Sequence, residues 1–169
     1  GRLTTEEYLN HEDFQVLGAG VKLGDDDATW LDSMGAEVDD FFSSVDWRNT
    51  ELVCHNTRFD GAILRWMYGH SPARYNDTLG LSRFVDGVFG GNTLEAVAKR
   101  HNLGTKGDEL SLVEDLHRCE ITDETFETLG SYCLNDIHLT EKAYQLLNPK
   151  VPETERVAID LTLRMFIEP

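Results

Sequence analysis

The sequence predicts an α/β fold, helices layered on a small mixed sheet, and three observations carry that expectation. Short β-leaning runs alternate with segments of helical periodicity, and glycine and proline punctuate the junctions between them. With 40% hydrophobic positions in 169 residues, the chain has apolar material for about one domain with one core.

Phe14 to Lys22 is the first β-leaning run, the turn Gly24-Asp25-Asp26 ends it, and Ala28 to Leu31 returns as the second arm of a hairpin. Glu37 to Val45 repeats Val38, Phe41, Phe42 and Val45 at helical spacing, and Glu51 to His55 is a brief apolar strand. The chain turns helical at Asn56, with Ala62, Ile63, Trp66 and Met67 on one face and Gly69 as the stop. After the Ser71-Pro72 loop, Arg74 to Asp77 is a possible strand leading into a helix from Thr78 to Val85. Gly87, Gly90 and Gly91 break the chain before a helix capped by Asn92 or Thr93, with Leu94, Val97 and Ala98 on its apolar face.

Leu103 to Gly107 is a glycine-bounded loop carrying Lys106, and Leu110 to Leu116 is expected as a short helix. Thr122 to Thr125 open a long helix to about Leu147. Residues 148–152 form a linker, and Thr154 to Phe166 a last amphipathic helix with Val157, Leu161 and Met165 in line. Residues 1–10 are expected to hold a loop at Glu6-Glu7 and no partner strand for the hairpin, so the fold looks as if it were joined one strand late.

Acidic residues number 31 against 15 Lys and Arg, which excludes a binder working by bulk attraction to phosphate. The interval from Arg58 to Lys106 differs, with seven basic residues against four acids, so an anionic ligand can be met locally or the interval is a solvated mixed-charge face. The absence of an apolar run of about 18 residues and of a leader-like N-terminus predicts a soluble, unexported, cytoplasmic chain with no membrane partner. Cys54, Cys119 and Cys133 are odd in number and widely spaced, which speaks against a disulfide framework or a zinc site. His55, His70, His101, His117 and His138 lack metal-ligand spacing. Gly87 to Gly91 lacks the Lys and Ser/Thr of a phosphate loop, and the scattered Trp30, Trp47 and Trp66 read as core residues rather than stacking platforms.

Two constellations carry chemistry. Asn56-Thr57-Arg58-Phe59-Asp60 stands where a strand yields to a helix, at the sheet edge where α/β folds bind ligands; the competing reading is that Asn56 caps the helix and Asp60 complements its dipole. Tyr132 and Asp136, four apart in the long helix, share a face beside the apolar stripe of Cys133 and Ile137.

Together these two motifs resemble the second and third motifs, Asn-x-x-Phe/Tyr-Asp and Tyr-x-x-x-Asp, of the DnaQ-like 3′-to-5′ exonucleases. Tyr132 is similar to the tyrosine subclass, which includes the proofreading domains of family A DNA polymerases and the ribonuclease D enzymes. Residues 3–8, 14–18, 76–79 and 159–166 look like segments of phage-type family A polymerases, and the resemblance covers nearly the whole chain. It implies a ribonuclease H-like mixed sheet flanked by helices and lacking its first strand, since the family's Asp-x-Glu motif is absent. Residues 1–148 would form the exonuclease domain, and 149–169 a linker and helix leading to a polymerase domain downstream.

The implied activity is proofreading hydrolysis of phosphodiester bonds at the 3′ end of single-stranded DNA, within the cytoplasm of a phage-infected host. Two ions, Mg²⁺ or Mn²⁺, are the implied cofactors, with Asp136 on the water-bearing ion and Asp60 on the other. Tyr132 would orient the attacking water, Asn56 and Phe59 would flank the terminal nucleotides, and Arg58 and Lys106 would meet phosphates. A ribonuclease D-like RNA exonuclease and a degenerate domain that binds or scaffolds are the alternatives.

Overall fold

A computed structural model describes residues 3–107 and 116–168. The chain is a mixed α/β protein. Its first element is a short helix α1 (Thr5–Leu9), in place of the loop expected from sequence. Thr4 accepts from the Glu7 backbone N–H and the Glu7 carboxylate accepts from the Thr4 N–H, a reciprocal cap that satisfies two otherwise orphaned donors.

The hairpin forms with arms shorter than the apolar pattern suggested: β1 (Gly18–Val21) pairs antiparallel with β2 (Thr29–Asp32), Gly18 opposite Asp32. After α2 (Glu37–Ser44), strand β3 (Glu51–Cys54) pairs parallel with β4 (Arg74–Asp77) across helix α3 (Thr57–Trp66). Among the described residues no strand joins the two pairs, so the single mixed sheet expected from sequence is two separate two-stranded sheets. Helices α4 (Thr78–Asp86) and α5 (Leu94–Arg100) follow, and the long α6 (Asp123–Leu147) packs against β1, β2 and β3, bridging both pairs. The expected helix from Leu110 lies outside the described residues.

Helix α7 (Glu153–Ile167) buries a different face from the one expected. Leu163 and Ile167 are buried, with Ile159 and Phe166 packed beside them against Leu9, Ala62 and Tyr75, whereas Val157, Leu161 and Met165 face outward. Positions 159, 163 and 167 have the same four-residue spacing as 157, 161 and 165, so periodicity alone gives no choice between the two stripes. Polar anchors decide it. Asp160 accepts from the Tyr75 N–H at 2.8 Å, Arg164 donates to the carbonyls of Pro72 and Ala73, and the Trp66 indole donates to the Ile167 carbonyl. Each fully buried aliphatic side chain on that face contributes roughly 1.5–3 kcal/mol.

The tryptophans are structural, as expected. Trp30 lies between β1 and α6, where a Cβ at Gly18 or Gly130 would overlap its indole. Trp47 donates to the Phe42 carbonyl and stacks on His70.

Candidate functional site

The parallel strands β3 and β4 end side by side, and Asp77 ties their ends together. Its Oδ1 accepts the backbone N–H groups of Asn56 (2.8 Å), Thr57 (3.2 Å) and Leu79 (3.1 Å), capping α4 and fixing the start of α3 with one buried carboxylate. The Thr57 hydroxyl adds a bond to the Asn76 carbonyl at 2.7 Å. Asp77 escaped sequence reasoning, although an Asp immediately before a helical run is an N-cap signal.

Because Asp77 takes over the capping, Asn56 does not cap α3 with its side chain, contrary to the simpler reading of that motif. Asn56 instead occupies the left-handed region, φ 69° and ψ 52°, which Asn tolerates better than most residues. Its exposed amide lines a cleft of about 510 Å³ with Leu3, Thr4, Thr5, Tyr8 and Phe59. The Tyr8 and Phe59 rings stand 6.1 Å apart.

Asp60 follows in the first turn of α3. The residue keeps an exposed rim, yet protein crowds its carboxyl enough to raise it to about 6, against the pull of its own backbone N–H and with the Asp77 charge adding repulsion. Burial also pushes the Cys54 thiol up, helped by Asp60 and Asp77.

On α6, Tyr132 is buried and Asp136 half-buried, one turn apart as their spacing requires. Lys106 meets both. Its ammonium donates to Asp136 Oδ2 at 2.5 Å and to the Tyr132 hydroxyl, and lies 4.4 Å from the Tyr132 ring centroid. Asp136 Oδ1 is buried with no hydrogen-bond partner among the described residues. Asn135 donates to the Thr105 carbonyl at 2.9 Å and so holds the Lys106 loop on the helix, beside a cleft of about 300 Å³ lined by Thr105, Lys106, Gly107, Ser131, Tyr132 and Asn135.

The Cys133 thiol is raised to about 11, first by burial, then by the charge of Asp136, with Asp60 adding to it. His55, which precedes Asn56, is lowered by burial, while the charges of Asp77 and Asp136 oppose that and Lys106 assists it.

The structure gathers Tyr132, Asp136 and Lys106 at one point and Asn56 and Phe59 in a separate cleft, and no hydrogen bond or ion pair among the described residues links the Asp60 carboxyl to either. Arg58 is directed elsewhere, its guanidinium 3.7 Å above the Phe166 ring on α7. The donor set suits a hard cation in part: Asp60 and Asp136 offer carboxylate oxygens, one of them unspent and buried, but no group of three or more His, Cys, Asp or Glu among the described residues forms a metal cluster. None of the described helices is long and apolar enough to cross a membrane.

Compared with known proteins, the chain matches no family model, no curated protein and no solved structure.

Proposed function

We propose that the chain is a 3′-to-5′ exonuclease domain of the phage family A DNA polymerase type, acting on the 3′ end of single-stranded DNA. The observation that carries this reading is the Tyr132–Lys106–Asp136 arrangement: a phenol and a carboxylate one helical turn apart form an anionic site that already attracts a cation and keeps one buried oxygen unspent.

In this mechanism Asp136 and Asp60 hold part of the shell of two divalent ions, which when bound supply an activated water and charge stabilisation for an in-line displacement. The remaining steps belong to the chain's own residues. Tyr132, whose buried ring stands one helical turn from Asp136, orients the attacking water with its hydroxyl. Lys106, released from Asp136, is within reach of the anionic phosphate. The exposed Asn56 amide and the Phe59 ring hold the terminal nucleotide in the cleft they share.

The same ion pair favours one second reading, a degenerate domain that binds without cleaving, because Lys106 neutralises the carboxylate that a catalytic ion needs. Mn²⁺ titration of the chain, read by the loss of free-ion EPR signal, separates the two. The nuclease reading expects weak binding that Asp136→Asn abolishes and Lys106→Met strengthens, whereas a degenerate site binds no better after Lys106 is removed. An RNA substrate would appear as preferential cleavage of a ribo-oligonucleotide by a chain extended at its N-terminus through an Asp-x-Glu strand.

A further inference from the structure

The loop between α4 and α5 has no role in the chemistry above, yet it carries the most exposed aromatic side chain among the described residues. Phe89 is fully solvent-exposed at the loop tip, with Val88 beside it and Phe84 exposed on the last turn of α4. Exposed single apolar residues are ordinary. Three of them on one short stretch of a chain with 16 excess negative charges are not.

The base of this loop is built to hold its shape. Arg100 donates to the carbonyls of Gly90 (2.8 Å) and Gly91 (2.5 Å) and to Asp86 (2.8 Å), and His101 also meets Asp86. Asn92 donates to the Gly87 carbonyl at 2.8 Å. Gly87 and Gly91 have φ of +79° and +69°, so the two hinge points adopt a conformation that side-chain-bearing residues rarely take.

The base is also tied to the candidate site. The Asn92 carbonyl lies 2.9 Å from His55 Nε2, and the other His55 nitrogen lies 2.9 Å from the Thr78 hydroxyl, next to Asp77. One residue further along the chain comes Asn56. Arg83, whose carbonyl receives the first loop N–H, and Lys99, next to the clamping Arg100, are exposed and make no ion pair with the described residues. Asp86, the acid at the loop base, is held by Arg100 and His101, while Glu95 stands exposed on the first turn of α5.

We propose that the Val88–Phe89 tip is a stacking platform for an unpaired base of single-stranded DNA, with Arg83 and Lys99 meeting its phosphates. Aromatic faces accept any base, and flanking cations follow the backbone. The proposal rests on the nuclease reading for its choice of partner, and the bond from His55 to the Asn92 carbonyl joins the base of the loop to the residue that precedes Asn56.

The test is binding of a fluorescein-labelled oligo-dT of about twelve nucleotides, followed by anisotropy in EDTA at low salt so that no strand is cut. Phe89→Ala is expected to weaken binding roughly five- to one-hundred-fold, and to leave the melting temperature unchanged because the side chain is exposed. Phe89→Trp is expected to restore binding and to show emission quenched by the oligonucleotide beyond the change seen in the parent chain. Wild-type affinity in Phe89→Ala, an unquenched Phe89→Trp, or no oligo-dT binding by the parent chain overturns the proposal. So does sedimentation in which Phe89→Ala abolishes self-association and leaves DNA affinity untouched. The nuclease reading fails independently, when metal-supported cleavage survives Asp136→Ala while the Phe89 effect on binding stands.

Discussion

The Lys106 ammonium sits 2.5 Å from Asp136 Oδ2, while the other oxygen of the same carboxylate is buried with no hydrogen-bond partner among the described residues. A carboxylate half paired and half unspent is an unfinished electrostatic arrangement, since a buried acceptor left without a donor costs about 1–3 kcal/mol. Under the nuclease proposal a divalent cation completes it.

Lys106→Met is therefore expected to destabilise the chain in EDTA by about 1–2 kcal/mol, below the cost of breaking a fully buried pair because both partners keep roughly a quarter of their side-chain surface exposed. Urea denaturation measures it. In a double-mutant cycle with Asp136→Asn most of that loss should disappear, and additive losses would show that the two residues do not interact.

Asp60 gives the pH dependence. Its folded carboxyl is raised to about 6 from an ordinary 3.8, so the folded state binds the proton more tightly than the unfolded chain. Stability from this group is present below about pH 4 and is lost as pH rises towards 6. Asp60→Asn should therefore raise stability above pH 6 by up to about 1–2 kcal/mol, after allowance for the exposed rim, with no difference near pH 3. Denaturation at pH 4 and pH 7 in EDTA checks the sign, and an equal effect at both would refute the shift.

Asp77 should prove more important to the fold than either motif carboxylate. Asp77→Ala leaves the N–H groups of Asn56, Thr57 and Leu79 without their acceptor and is expected to cost about 2–4 kcal/mol. Asn56→Gly, by contrast, relieves a left-handed backbone and should be neutral within about 0.5 kcal/mol, whereas Asn56→Ala should cost about 1 kcal/mol. Thermal melts of the three variants rank them, and a reversed order would mean that Asp77 does not organise the strand ends.

Much of the fold was legible in the sequence, for reasons that the exceptions make clear. Elements with strong local signals formed nearly as expected: the Gly24-Asp25-Asp26 hairpin turn, the Thr122-capped α6, and α3 closed by Gly69 at φ +76°. Tyr132 and Asp136 were placed by helical spacing alone. Elements decided by distant partners were not legible. The orientation of α7 depends on Asp160 reaching Tyr75, 85 residues away in sequence, and Met67, expected on the buried face of α3, is exposed. The left-handed Asn56 follows from Asp77 reaching back across the parallel strand pair, and the Lys106 pairing from a loop folding onto α6. The short α1 and the Asp77 cap of α4 were local misses, since the Thr4–Glu7 capping box and an Asp before a helical run both stand in the sequence.

The packing of the β1–β2 hairpin on α6 offers a check independent of function. A Cβ at Gly130 would overlap the Trp30 indole, so Gly130→Ala should destabilise by about 1–3 kcal/mol although alanine is the better helix former by about 1 kcal/mol. A rise in melting temperature would place Trp30 elsewhere.

The most direct test of the nuclease assignment is degradation of a 5′-labelled single-stranded DNA oligonucleotide with Mn²⁺. It compares this chain, a version extended at its N-terminus by an Asp-x-Glu strand, and the extended version carrying Asp136→Ala. A ladder of successively shorter labelled products is expected from the extended chain, little or none from the 169 residues alone, and none after Asp136→Ala. A ladder of equal intensity from all three, or no cleavage by the extended chain, would contradict the assignment of Asp136 and Tyr132 to a nuclease site.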